Sequence, residues 1–168
     1  MGLVFKKTGK PLVGFTDADW GSSTIDRKSF TGYCFTYANA AISWSSRKQR
    51  SVALSTAEAE YCAIADATKE AMHLMQLINE LNVPHKSVTI FNDNQAAQHI
   101  ASNPVVSAKS KHIDIKQHFV REKVEEGQIQ LKYLPSDSMT ADVLTKALAK
   151  PQLQNLITKL GLEEDCII

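Results

Sequence analysis

The chain has 168 residues, of which 43% are hydrophobic and 22% charged, the size and balance of one soluble globular domain. That balance excludes collagen-like, disordered and disulfide-scaffold classes, and no apolar run nears the roughly 18 residues of a membrane span. Nineteen Lys and Arg against eighteen Asp and Glu leave a net charge of +1, so a nucleic-acid partner must be held by local basic patches.

Met1 to Lys10 carry charge but no long apolar stretch, so no secretory signal is expected. The cysteines, Cys34, Cys62 and Cys166, are odd in number and include no Cys-x-x-Cys pair. This argues against a disulfide framework or a zinc knuckle and fits a reducing compartment.

In chain order, strands are expected at 12–17, Phe30 to Tyr37 and Ala41 to Trp44, rich in aromatic and β-branched residues. A basic polar stretch, 45–50, leads to a further short strand at Ser51 to Leu54. From Thr56 to Leu81 the period changes: Tyr61, Ile64, Ala65, Thr68, Met72 and Met75 recur three or four apart, marking a long amphipathic helix. Ser55 is its N-cap, with Glu58 completing a capping box. A strand follows at Ser87 to Asn92, a short helix at Asn94 to Ala101 and a break at Asn103-Pro104. A second long helix spans Lys111 to Glu126 and stops at Gly127. A strand at Gln128 to Leu134 and a last helix at Thr140 to Ala149 complete the order. Hairpin strands followed by alternating strands and helices predict a mixed α/β sheet with helices on its faces. The expected organisation is one domain over 1–162 with a loose tail at 163–168.

Ligands of such sheets gather beyond the carboxyl ends of the parallel strands, where Asp17 and Asp93 stand. Each alone is explained as a turn former. Glu58 and Glu60 lie about 200° apart around the long helix, so at most one faces a shared site. Glu58 shares its strip with Cys62, Lys69 and Gln76. Glu60 shares its own with Ile64, Ala67, Ala71 and Ile78. A carboxylate on an apolar strip costs desolvation energy unless it meets a cation, which singles out Glu60. Asp142, in the expected first turn of the last helix, is satisfied by the helix dipole alone. Together, however, Asp17, Glu60, Asp93 and Asp142 form a hard oxygen donor set of the kind Mg²⁺ prefers. Paired Mg²⁺ ions about 4 Å apart activate a water and stabilise the leaving oxygen in phosphodiester cleavage.

The five histidines show no zinc-site spacing, and no phosphate-binding Gly-rich loop or Gly-x-Ser-x-Gly occurs. Arg47, Lys48 and Arg50, and the run 109–123 with Lys109, Lys111, His112, Lys116 and Arg121, are basic patches suited to phosphate contact. As bare sequence they are equally solvated faces.

Several motifs in order carry a family resemblance: Gly-Phe-Thr-Asp-Ala-Asp-Trp at 14–20, Asp-Arg-Lys-Ser-Phe-Thr-Gly-Tyr at 26–33 and Ile-Ser-Trp-Ser-Ser-Arg-Lys-Gln at 42–49. They continue with Ala-Leu-Ser-Thr-Ala-Glu-Ala-Glu-Tyr at 53–61, Asn-Asp-Asn-Gln-Ala-Ala at 92–97, Lys-His-Ile-Asp-Ile-Lys-Gln-His at 111–118 and Ala-Asp-Val-Leu-Thr-Lys-Ala-Leu at 141–148. Over about residues 12–162 the chain resembles the ribonuclease H domain of copia-type LTR retrotransposon polyproteins. The resemblance implies a ribonuclease H-like fold, a five-stranded mixed sheet flanked by helices on both faces. It also implies two-metal hydrolysis of the RNA strand of RNA/DNA hybrids, with Asp17, Glu60, Asp93 and Asp142 as catalytic metal ligands. The ions would be two Mg²⁺, with Mn²⁺ able to substitute. The implied partners are the hybrid and the reverse transcriptase domain of the same polyprotein, with no membrane. The implied location is the cytoplasm, in virus-like particles, or the nucleus.

Ser55 and Thr56 match positions where related enzymes contact the hybrid. Arg47, Lys48, Arg50, Asn94, Lys111 and His112 complete the expected nucleic-acid contacts. The sequence departs from the wider ribonuclease H pattern twice: Ala18 replaces Gly after the first Asp, and 135–141 lacks the loop histidine of many cellular enzymes. A competing reading is a strand-transfer enzyme of the same fold. Another is a catalytically silent, domesticated RNA/DNA-binding module.

Overall fold

Side chains alternate across a strand, and along Val13–Asp19 that alternation divides the molecule into two layers. Gly14, Thr16 and Ala18 face one side, where Ala18 packs on Ala59 and Ala63 of the long helix. Val13, Phe15 and Asp17 face the other, where Phe15 joins Cys34, Ala41, Val143, Leu144 and Leu160. The computed structural model describes residues 1–102 and 111–164, apart from the side chains of 102 and 111–114. The expected break at Asn103-Pro104, Lys109 and Cys166 lie outside the described residues, as do the side chains of Lys111 and His112.

The elements are β1 (Gly2–Leu3), β2 (Val13–Asp19), β3 (Phe30–Tyr37), β4 (Ala40–Lys48), α1 (Thr56–Glu80), β5 (Val88–Asn92), α2 (Gln95–Ser102) and α3 (Lys111–Glu125). After them come β6 (Ile129–Tyr133), 3-10 turns at Ser136–Ser138 and Thr140–Leu144, α4 (Lys150–Lys159) and β7 (Leu162–Glu163). One five-stranded sheet runs β4-β3-β2-β5-β6, antiparallel through β4, β3 and β2 and parallel through β2, β5 and β6. This is the mixed α/β sheet expected from the sequence. It places the carboxyl ends of β2, β4 and β5 at one edge of the molecule.

α1 lies close on the sheet because Ala59, Ala63, Ala67 and Ala71, four apart, present no bulk to it and are fully buried. Its Tyr61 hydroxyl donates to the Gln117 carbonyl at 3.3 Å, tying α1 to α3. Ser55 caps α1 by accepting from Glu58 N at 3.2 Å, but the Glu58 carboxylate returns to Leu54 N rather than to Ser55 N. The box therefore closes one residue early.

Two expectations are corrected. Ser51 to Leu54 is not a strand: β4 extends to Lys48, and Leu54 is already bound to the Glu58 cap. The stretch 140–149 is a 3-10 turn followed by loop, and the α-helix comes later, at Lys150–Lys159, with Pro151 in its first turn where a missing N–H costs nothing. Leu162 and Glu163 pair with Leu3 and Gly2 in a small antiparallel sheet.

Candidate active site

The β2–β5 ladder stops at Phe15 opposite Phe91, whose rings stack 5.4 Å apart. Beyond that point the two parallel strands share no pairing, and the gap is where the acidic residues meet. Asn92 spans it: its Nδ2 reaches the Thr16 carbonyl at 3.4 Å and Glu60 Oε2 at 2.9 Å. One carboxylate oxygen from each of Asp17, Glu60 and Asp93 lies within 4.8 Å of the others. Asp17 is wholly buried and Glu60 only 6% exposed.

Asp142, buried in the 3-10 turn Thr140–Leu144, stands beside this triad rather than in it. Lys146 joins the two, with Nζ 3.1 Å from Asp17 Oδ1 and 3.2 Å from Asp142 Oδ1. The Thr145 hydroxyl donates to the other Asp17 oxygen. The turn comes this near because Gly32, the β3 partner of Asp17, has no side chain. A Cβ there would stand 2.6 Å from Thr145 Cγ2 and 2.9 Å from Leu144 Cβ. Ser136 Oγ donates to Asp93 Oδ2 at 2.6 Å. It belongs to the same loop that lacks a histidine.

The charges are unequally compensated. Burial, then the charges of Asp17 and Asp93, push Glu60 up to about 8, against the opposing bond from Asn92. Burial and Asp17 push Asp142 up to about 6, while Lys146 pulls the other way. Burial alone would lower the Lys146 ammonium, but Asp17 and Asp142 outweigh it and hold it above the usual lysine value. The donor chemistry fits a hard divalent cation: all-oxygen, convergent, and short of positive charge.

This imbalance has a measurable consequence for stability. Glu60 rises from 4.5 and Asp142 from 3.8 on folding. Between these values and about 6 to 8 the folded protein therefore binds more protons than the unfolded chain. Stability in chelator is highest below about pH 4 to 5 as far as these two groups are concerned, and is lost as pH rises towards 8. Both groups shift in the same direction, so their losses accumulate across the window. Lys146 titrates above this window and does not alter the sign. Thermal melts from pH 5 to 8.5 in chelator should show the fall, and Glu60→Gln should flatten it. A melting temperature that rises with pH would contradict the assignment.

The remaining predicted residues divide. Arg47, Lys48 and Arg50 line a groove of about 660 Å³ at the carboxyl end of β4, together with Lys69 of α1 and Lys116 of α3. Arg47 is paired at 3.2 Å with the half-buried Asp66, and Lys48 at 3.4 Å with Asp26 at the surface. Gln49 fixes the strand to the helix, its Nε2 donating to Thr31 Oγ1 at 3.0 Å and to the Ala59 carbonyl at 2.9 Å. Ser55 and Thr56 are exposed at the start of α1. Asn94 caps α2, its Oδ1 accepting from Ala97 N at 3.0 Å. Sequence reasoning missed Asn92, Ser136, Thr145, Lys146 and Lys69. Lys146 alone had a local signal, its spacing of four from Asp142.

No family model matches the chain. It is 37% identical over 163 residues to the retrovirus-related Pol polyprotein from transposon TNT 1-94 of Nicotiana tabacum, covering 97% of the chain and 12% of that protein. It is 36% identical over 163 residues to the retrovirus-related Pol polyprotein from transposon RE2 of Arabidopsis thaliana, covering 95% of the chain and 11% of that protein. The chain thus spans about a ninth of these relatives.

Among solved structures, the N-terminal RNase H domain of rv2228c from Mycobacterium tuberculosis superposes with a TM-score of 0.56 at 11% identity, covering 88% of this chain and 96% of that one. LC11-RNase H1, solved in complex with an RNA/DNA hybrid, gives 0.55 at 16% identity, covering 80% and 94%. By its fold the chain is a ribonuclease H-like α/β domain, and by its sequence it is homologous to a segment of the copia-type, retrovirus-related Pol polyproteins.

Proposed function

We propose that this domain is a divalent-metal-dependent endonuclease that cuts the RNA strand of RNA/DNA hybrids during retrotransposon reverse transcription. The observation that carries this reading is the convergence of Asp17, Glu60 and Asp93 at the end of the β2–β5 ladder, with Asp142 beside them. These four residues would hold Mg²⁺, or Mn²⁺ in its place. When bound, the ions would supply water activation and neutralisation of the phosphate charge.

The chain's own groups do the positioning. Asn92 orients Glu60, Ser136 orients Asp93, and Thr145 holds one oxygen of Asp17. The groove bearing Arg47, Lys48 and Arg50 binds the phosphodiester backbone, and the exposed Ser55 and Thr56 at the start of α1 add contacts to the hybrid. The curated relatives are Pol polyproteins, which supports a reverse transcriptase domain as the covalent partner on the same hybrid. The direct experiment incubates end-labelled hybrid with the domain in Mg²⁺, Mn²⁺ or chelator. RNA fragments with 3′-hydroxyl and 5′-phosphate ends are expected only with the ions, because water displaces the 3′ oxygen. Full cleavage in excess chelator would overturn the reading.

Binding by the isolated domain should be weak and salt-sensitive, since the net charge is only +1. Each phosphate neutralised contributes a slope of about 0.7 to 0.9 in log affinity against log salt. Three or four contacts would lose roughly tenfold to a hundredfold between about 50 and 200 mM salt. Hybrid binding measured in Ca²⁺ should show that slope, and replacing Arg47, Lys48 and Arg50 by Ala should lower it. An unchanged slope in the triple variant would leave the groove without a role in binding.

A further inference from the structure

The turn Asp142–Lys146 brings a carboxylate and a cation to Asp17 together. The ammonium holds Oδ1 of Asp17 at 3.1 Å and Oδ1 of Asp142 at 3.2 Å, and the two carboxylate side chains are almost wholly buried, 1% and 4% exposed. An ion bridging Asp17 and Asp142 would compete with the ammonium at both carboxylates. An ion among Asp17, Glu60 and Asp93 would not need Asp142 at all, and Lys146 forms no ion pair with Glu60 or Asp93 among the described residues. A lysine ammonium is compact and strongly solvated, and its four-carbon stem lets it swing. The Lys146 side chain is 34% exposed, so water waits on one side of it.

We propose that Lys146 is a tethered counter-ion of the Asp17–Asp142 pair that makes the two ion positions of the site unequal. The triad position contends with the ammonium at one carboxylate, Asp17, and the Asp17–Asp142 position contends with it at both. The Asp17–Asp142 position fills only when the ammonium leaves both carboxylates. Lys146 is thus a positioning residue: it keeps two buried like charges together and sets the affinity of the second ion, and it need not touch the substrate. The inference rests on the reading of these carboxylates as ion ligands.

The test reads ion affinity and stability rather than cleavage. Calorimetric titration of the whole domain with Mn²⁺, and separately with Ca²⁺, should resolve a tighter and a weaker event. In Lys146→Met the weaker event should tighten at least tenfold and the tighter one by clearly less. Asp142→Asn should remove the weaker event in either background. In chelator, Lys146→Met should melt below the parent, and the double variant with Asp142→Asn should recover most of that loss. A residue that merely packs would give additive losses instead. If Lys146→Met does not stay folded in chelator, added Ca²⁺ must restore it, and Lys146→Gln serves for the titration. Failure of that rescue counts against the proposal. Equal affinities in parent and Lys146→Met overturn the role of Lys146 alone. Absence of any binding to either protein overturns the ion site and the proposed function together.

Discussion

Asp17→Asn should abolish hybrid cleavage, lowering the single-turnover rate by roughly a thousandfold or more, about 4 kcal/mol of transition-state stabilisation. Asp17 is the residue the other groups share: it lies within ligand distance of Glu60 and Asp93 and is bound by both Thr145 and Lys146. Asn keeps the shape and removes the charge. Taking a charge out of a crowded, buried acidic cluster does not unfold it, so circular dichroism should remain native while cleavage is lost. Asp93→Asn should behave alike, because its carboxylate completes the same triad. Retention of more than a tenth of parent activity by Asp17→Asn, in a metal-dependent preparation, would remove Asp17 from the centre of the site.

The second large effect separates two glutamates two residues apart. Glu60→Gln should inactivate the domain to a similar degree, since Glu60 is buried between Asn92 and the aspartates. Glu58→Gln should leave the rate unchanged and cost about 1 kcal/mol or less, because its role is the bond to Leu54 N at the start of α1. Paired rate and melting measurements on the two variants decide the matter. Exchange of their outcomes would mean that the active face of α1 has been misread.

What the sequence made legible follows from the range of each interaction. The strands β2, β3 and β5 and helix α1 announce themselves by local period and by caps at fixed offsets, and Glu60 stands out because helical spacing sets it on an apolar strip. The last helix lies later than expected because Val143, Leu144, Ala147 and Leu148 imitate a helical spacing, while Pro151 in fact sits in the first turn of α4. The paired strands β1 and β7 are two residues each, too short for any period. At the site, the residue types were readable but their mutual support was not. Ser136 finds Asp93 across 43 residues, and Thr145 finds Asp17 across 128. Similarly, Arg47 looked free for phosphate until packing set Asp66 against it.

The carboxylates come from segments spread between residues 17 and 142, and this has a consequence for the lifetime of the folded domain. Their repulsion exists only after the long-range contacts of the sheet, α1 and the last turn have all closed. A folding transition state that has not yet gathered them does not feel it, so the penalty lies between that barrier and the native state. It shortens residence in the folded form and leaves the speed of folding nearly untouched. Any cation that settles among these oxygens acts as a kinetic clasp, slowing escape from the fold without having helped to find it.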